Sequence, residues 1–126
     1  MRPILTAAVL ACTAIPAMAE GWALADAGAE FTRISDRAAF MDLVDDGPLT
    51  RFGISVEVAP DGSISGNAYG FDVTGRWDWQ DGYFCRALAW GSKDLGQNCQ
   101  SVSVSGDYVR FTSDRGAGDF ADLRAN

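Results

Sequence analysis

A short turn signal, Asp81-Gly82, separates two stretches of the chain that are rich in aromatic residues. In a hairpin around this turn, the side chains of the two strands lie opposite one another and form aromatic and cation–π pairs. Two interpretations are open. Either these side chains fill the core, or part of them lines a mouth or groove for a small apolar or planar ligand, with an arginine meeting its anionic group. The candidate binding residues are Trp77, Trp79, Tyr83, Arg86 and Trp90.

Other residue types limit the chemistry further. The chain has no histidine, which excludes Ser-His and Cys-His nucleophile systems and the commonest metal ligand and general base. Asp72 and Asp78 share one face of a predicted strand, as a glycosidase pair would, but alternating acids on an outer face are usually just solvated. Asp72 or Asp78 could equally form an ion pair with Arg86. We predict no catalytic residue, no metal ligand and no cofactor.

The segment Asp114–Asp119 and the only lysine, Lys93, carry weaker signals. The acids of that segment do not match the spacing of an EF-hand calcium loop. Lys93 stands beside Asp94 in a polar stretch, which favours a solvated lysine over an activated one.

The N-terminus has the pattern of an export signal. Arg2 precedes an apolar stretch from Ile4 to Ile15, and Ala17-Met18-Ala19 is a small-x-small cleavage site. We therefore predict a signal peptide over residues 1–19 and a single β-rich periplasmic or secreted domain over residues 20–126. A lipoprotein, with Cys12 as the lipidated residue, is the alternative.

Two cysteines remain after cleavage, Cys85 and Cys99. An oxidising compartment and the absence of a Cys-x-x-Cys motif predict a disulfide between them, which closes a short loop. Cleavage also removes Arg2 and leaves nine basic against 17 acidic residues, a net charge of −8. Because this charge repels phosphate backbones and anionic headgroups, we expect neither nucleic acid nor a membrane surface as a partner.

Most of the chain after residue 50 predicts antiparallel strands. Phe52, Ile54, Val56 and Val58 alternate with polar or small residues, and this predicts a strand with one buried face. The run from Ile64 to Trp79 contains three glycines and predicts either one strongly bent strand or two strands with a bulge between them. Further strands are predicted over 83–90, around 102–104, over 108–112 and around 120–123, with a polar loop over 91–98.

One helix is predicted before these strands, from Asp36 to Asp45, with Ser35 as its cap and Ala39, Phe40, Leu43 and Val44 on its apolar side. A meander of short strands usually closes, because closure removes the exposed edges. The predicted fold is therefore mainly β, a small antiparallel meander that forms a lipocalin-like barrel or half barrel, with the helix over an open end or one face.

The stretch from Asp61 to Gln100, with VRFTSDRGAG after it, resembles a mostly uncharacterised family of short exported alphaproteobacterial proteins. Its most specific parts are the segment GRWDWQDGYFCR and the second cysteine within LGQNC. Some members are labelled dihydrodipicolinate reductase. Such reductases resemble two-domain Rossmann enzymes, whereas this chain has neither their length, nor the dinucleotide fingerprint, nor a histidine. The resemblance thus implies an envelope protein and carries over no catalytic residue.

These observations favour a non-enzymatic periplasmic binding or interaction module. Its barrel mouth, or the segment Gly91 to Asn98, would meet an unidentified small molecule or another envelope protein. Two alternatives stay open: a small envelope enzyme, reductase or hydrolase, that uses Asp, Arg and Tyr, and a barrel-type inhibitor of an envelope or secreted enzyme.

Overall fold

A computed structural model of the chain describes residues 22–125. The predicted signal peptide over residues 1–19, the start of the predicted domain at residue 20 and the alternative lipidation site Cys12 lie outside these residues. Within the described part, no helix is both long and apolar enough to cross a bilayer.

Residues 23–125 form one α-helix, one 3-10 turn and nine strands. The helix is α1 (Arg37–Val44) and the 3-10 turn spans Asp114–Gly116. The strands are β1 (Thr32–Ile34), β2 (Leu49–Arg51), β3 (Ile54–Val58), β4 (Ser63–Ala68), β5 (Phe71–Gln80), β6 (Tyr83–Trp90), β7 (Lys93–Ser105), β8 (Tyr108–Thr112) and β9 (Phe120–Ala125).

Strands β2 to β9 form a closed antiparallel barrel. Each strand pairs with the next along the chain, and β9 returns to pair with β2 through Leu49↔Ala125 and Thr50↔Arg124. The ninth strand, β1, pairs with β7 through Ile34↔Val102, just beyond the start of β6. The predicted mainly β barrel with one helix is confirmed.

The alternating strand directions give the barrel two different ends. The helix end carries α1 and the turns at residues 59–62, 81–82 and 106–107. The opposite end carries the turns at residues 52–53, 69–70 and 91–92 and the segment 113–119. We call the first three of these turns the rim. The two ends differ in what covers them, because α1 lies at one end only.

The barrel is filled by inward-facing side chains, as expected for eight strands. Val102 and Val109 are fully buried near its middle, and the Phe111 and Phe84 rings lie 5.3 Å apart beside them. Gly66 and Gly75 also face inward, and a Cβ at Gly75 would collide with the carbonyl oxygen of Ala87. Glycine therefore allows β5 and β6 to bend tightly around this core.

Helix α1 closes the helix end through Phe40, which is fully buried. The N-cap is Asp36, whose carboxylate accepts from the Ala39 amide at 2.8 Å. The prediction that Ser35 caps the helix is wrong, because Ser35 lies one residue before the N-cap position. Its carbonyl oxygen accepts instead from Trp79 Nε1. Ala39, placed on the apolar side by periodicity, is exposed, so Phe40 and Val44 carry the packing.

Three strand predictions require correction. Phe52 was expected on a buried strand face, but it occupies the two-residue turn between β2 and β3 and is almost fully exposed. The run from Ile64 to Trp79 forms two strands, with a hairpin turn at Tyr69-Gly70 in place of a bulge. The segment Gly91 to Asn98 is not a polar loop, because residues from Lys93 onward pair with β6 although their side chains are exposed.

The predicted disulfide joins Cys85 and Cys99, which are direct partners in the β6–β7 ladder, with an S–S distance of 2.09 Å. The bond closes a loop with a sequence separation of 14. The ladder continues on both sides of it, so the bond reinforces a pairing that main-chain hydrogen bonds also hold.

We expect the double variant Cys85→Ser/Cys99→Ser to keep the fold but to lose about 3 kcal/mol of unfolding free energy, the entropy that the cross-link removes from the unfolded chain. Urea denaturation with and without a reducing agent measures this change. The reductant should destabilise the wild type and leave the double variant unaffected. An unchanged wild-type midpoint under reduction would show that the bond contributes nothing.

Candidate functional site

The three predicted site tryptophans lie on the inner face of the barrel and are anchored there. Trp77 is only 6% exposed, and its indole donates to the Ala59 carbonyl at 2.8 Å. Trp90 is half-buried and donates in the same way to the Ala68 carbonyl. Trp79 stacks on Phe40 at 5.2 Å. Trp77 and Trp79 therefore act as packing for the helix end, and Trp90 is the one that reaches the rim.

Arg86 also points inward, because it lies directly opposite Trp77 in the β5–β6 ladder. Its guanidinium donates to the Gly96 carbonyl at 3.0 Å, and burial lowers the pKa of Arg86. The suggested ion pair with Asp72 or Asp78 is wrong, since both acids lie on the outer face of β5. This hydrogen bond links β6 to the start of β7, where the pairing register between the two strands shifts.

Tyr83 is the one predicted binding residue that faces outward. It lies beside the position where β1 meets β7, and two guanidinium groups lie over its ring. The Arg33 carbon is 4.6 Å from the ring centroid and the Arg115 carbon 5.4 Å. The predicted residues therefore do not form one site, because the alternation of β5 and β6 sends them to opposite faces.

A groove of about 590 Å³ lies over the outer face of β5, β6 and β7, with the disulfide at its floor. Its side walls are polar, and Gln80 Nε2 donates to both carboxylate oxygens of Asp78. The hydrogen-bond partner of the Asp78 carboxylate is therefore the Gln80 amide and not a second carboxyl group. The lining residues are Arg76, Trp77, Asp78, Gln80, Cys85, Arg86, Ala87, Gln97, Asn98 and Cys99.

The most unusual surface is the rim. Four of the five exposed large hydrophobic side chains in residues 22–125 lie at this end of the barrel, and the ring of the fifth, Trp22, lies 4.7 Å from the guanidinium carbon of Arg51, the residue before Phe52. Phe52 is 95% exposed, Phe71 59% and Tyr69 55%. Contiguous exposed apolar surface on a soluble domain usually marks an interaction site. We name Phe52, Tyr69, Phe71 and Trp90 the aromatic rim.

Contacts between neighbouring turns hold the aromatic rim in place. The Tyr69 ring lies over Gly53, where a Cβ would come within 2.6 Å of Tyr69 Cε1. The Phe71 ring lies beside Gly91 and meets Trp90 edge to face at 5.6 Å. The rings of Tyr69 and Phe71 are therefore packed in fixed positions, which lowers the entropic cost of binding through them, whereas Phe52 projects from its turn into solvent.

Tyr69 itself adopts an unusual backbone conformation. Its φ is +51°, in the left-handed region that bulky residues rarely enter, and Gly70 follows at +86°. The Asn67 side chain supports the turn by accepting from the Gly70 amide at 3.1 Å. Strain of this kind persists where the surrounding structure imposes it, and it is frequent at binding sites.

Trp90 is the only aromatic-rim residue that the sequence singled out. The sequence could also have indicated Phe52 and Tyr69, because each of them directly precedes a glycine, in Phe52-Gly53 and Tyr69-Gly70. Two-residue hairpin turns often have glycine at a second position of positive φ, as Gly53 and Gly70 do, and an aromatic residue in front of that glycine is then carried on the tip. Reading these dipeptides as turns would have placed both rings outside the core.

Within residues 22–125, no group of three or more Cys, Asp or Glu side chains is arranged to hold a metal ion. No family model, curated protein or solved structure matches this chain. The resemblance to exported alphaproteobacterial proteins therefore stays an expectation, and function has to be argued from the surface of the barrel.

Proposed function

We propose that the mature chain is an exported, non-enzymatic binding module that docks a partner protein of the cell envelope through its aromatic rim. The observation that carries this proposal is the exposure of Phe52, Tyr69 and Phe71 on two hairpins, β2–β3 and β4–β5, that turn at the same end of the barrel. Aromatic side chains held in fixed positions are typical anchors of protein interfaces, where a few of them supply most of the binding energy.

A protein suits this surface better than a small molecule does. Small-molecule sites are concave and enclose most of their ligand. Neither the groove over the disulfide nor a smaller pocket beside Tyr108 includes any residue of the two exposed hairpin tips. The aromatic rim instead projects from the end of the barrel, a shape that fits into a partner's hollow.

Charge indicates the chemistry of the partner. Two acids, Asp72 and Asp94, stand on the outer flank of the aromatic rim. Two basic residues also border it, Lys93 opposite Trp90 and Arg51 next to Phe52 in the chain. The whole chain has an excess of acids, 17 against 10 basic residues. The surface therefore complements an apolar patch bordered by lysine or arginine and repels anionic lipid.

Export supports an envelope location. The predicted signal peptide and the disulfide between Cys85 and Cys99 both fit an oxidising compartment outside the cytoplasm. A binding role also agrees with Asp122, the one fully buried carboxylate among residues 22–125, because structural hydrogen bonds occupy it. An acid–base catalyst would need a carboxylate that is free to exchange its proton with a substrate.

Site-specific photo-crosslinking in the native organism tests this function. A photoreactive phenylalanine analogue is placed at Phe52, and in a control at Asp42, which is also exposed but lies on α1 at the opposite end of the barrel. We expect one envelope protein to crosslink at position 52 and not at 42, and to carry basic residues around the crosslinked peptide. Crosslinks only to lipid or to a second copy of the chain, equal crosslinking from both positions, or none would refute the proposal.

A further inference from the structure

Two arginines from distant parts of the chain converge on Tyr83, far from the aromatic rim. Arg33 comes from β1 and Arg115 from the 3-10 turn after β8. Both guanidinium carbons lie within 5.4 Å of the centroid of one tyrosine ring, so the two positive charges are at most about 10 Å apart.

These charges are not neutralised by a carboxylate in the described part of the chain. There, the one ion pair within 4.0 Å joins Arg110 to Asp122. The nearest acid in sequence, Asp114, directs its carboxylate to the Asn98 side-chain amide at 2.8 Å. Two like charges around one ring that have no carboxylate within 4.0 Å repel each other.

The loop that presents Arg115 is held in a strained conformation. Asp114 and Arg115 both have φ of +55°, in the left-handed region that consecutive non-glycine residues seldom share. Asn98 clamps the loop twice, since its carbonyl oxygen also accepts from the Asp114 amide at 2.9 Å. Strain that is imposed by a dedicated clamp indicates that the position of Arg115 matters.

We infer that Arg33, Tyr83 and Arg115 form a binding site for a small oxyanion, a free carboxylate or phosphate. Guanidinium groups donate paired hydrogen bonds to both kinds of oxyanion, and an anion between them would remove their mutual repulsion. The Tyr83 hydroxyl is a further donor at the edge of the ring. This site goes beyond the proposed function and does not depend on it, because the aromatic rim lies at other turns.

Amide chemical shifts of the mature protein measure this binding. Sodium phosphate and, separately, sodium citrate are titrated at pH 7 and at constant ionic strength set with sodium chloride. We expect saturable shifts centred on Gly82, Ser103 and Gly116, which surround the cluster in the structure. Saturation by one salt and not by the other would assign the site to that class of oxyanion.

Two variants and a matched control complete the test. Arg33→Gln and Arg115→Gln should each weaken binding about tenfold, the loss of one charge-assisted interaction. Arg124→Gln is the control, since Arg124 also lies over a tyrosine, Tyr108, and its removal changes the net charge equally. Absence of saturable shifts with both salts, or equal weakening in the control, would overturn the inference.

Discussion

Replacing Asp122 with alanine is expected to lower the free energy of unfolding by about 3–5 kcal/mol, the range observed when one partner of a buried ion pair is removed. Asp122 is fully buried although it lies on the outer face of β9. Arg110 donates to it at 2.7 and 3.1 Å. Its loss would leave the Arg110 charge without a partner between the rings of Phe31 and Phe120, each 3.9 Å away.

The same carboxylate holds the segment before β1 against the barrel. The Leu24 amide donates to Asp122 at 2.8 Å and the Ala25 amide at 3.4 Å. Arg51 adds a link, because it donates both to the Trp22 carbonyl and to the Asp122 carbonyl. We therefore expect the Asp122→Ala variant also to lose hydrogen-exchange protection at Leu24. Asp119→Ala, an exposed acid on the adjoining loop, is the control and should cost less than about 0.5 kcal/mol.

Acid should weaken this interaction in a defined direction. Burial alone would raise the pKa of Asp122, but hydrogen bonds from Arg110, Leu24 and Ala25 outweigh it and hold the pKa below its ordinary value. A depressed folded-state pKa stabilises the protein above the unfolded pKa, near 4, and this stabilisation is lost as the pH falls through the folded value. Urea midpoints from about pH 6 to pH 2 should fall less steeply for Asp122→Asn than for the wild type. Equal slopes would contradict the role of this group.

The second large effect is expected at the helix end of the barrel, where Phe40→Ala should lower the free energy of unfolding by about 3–5 kcal/mol. Phe40 is fully buried, and the rings of Trp77, Trp79 and Phe84 lie 5.0 to 5.4 Å from its centroid. Truncation leaves a cavity that the closed barrel cannot collapse to fill. Chemical denaturation followed by tryptophan fluorescence measures the loss.

Asp42→Ala is the matched control for this prediction, because Asp42 lies on the exposed face of the same helix. It should change stability by less than about 0.5 kcal/mol. A cost below about 1 kcal/mol for Phe40→Ala would mean that the helix is not an essential part of the core.

Much of the barrel could be predicted because alternation determines which face a strand residue occupies. The prediction that Asp72 and Asp78 share one face of a strand is correct, since both lie on the outer side of β5. The turn at Asp81-Gly82 and the bond between Cys85 and Cys99 were also predictable, the first from its glycine and the second from cysteine count and compartment. Local chemistry was sufficient in each case.

The candidate sites were harder to predict, because they depend on which turns and strands meet in space. Arg33 and Arg115 are 82 positions apart and approach Tyr83 only because β1 and the 3-10 turn both lie against β7. Asp122 looks like an ordinary surface acid until the segment of Leu24 covers it. Phe52 looks like a core residue until the closed barrel places it in a turn.

Hydrogen–deuterium exchange over residues 22–125, alone and mixed with an envelope fraction of the native organism, tests the aromatic rim most directly. We expect protection confined to residues 50–55, 67–72 and 89–93, and its absence in the variant Phe52→Ser/Phe71→Ser. Protection over α1 or the groove above the disulfide instead, or protection that survives in that variant, would contradict it.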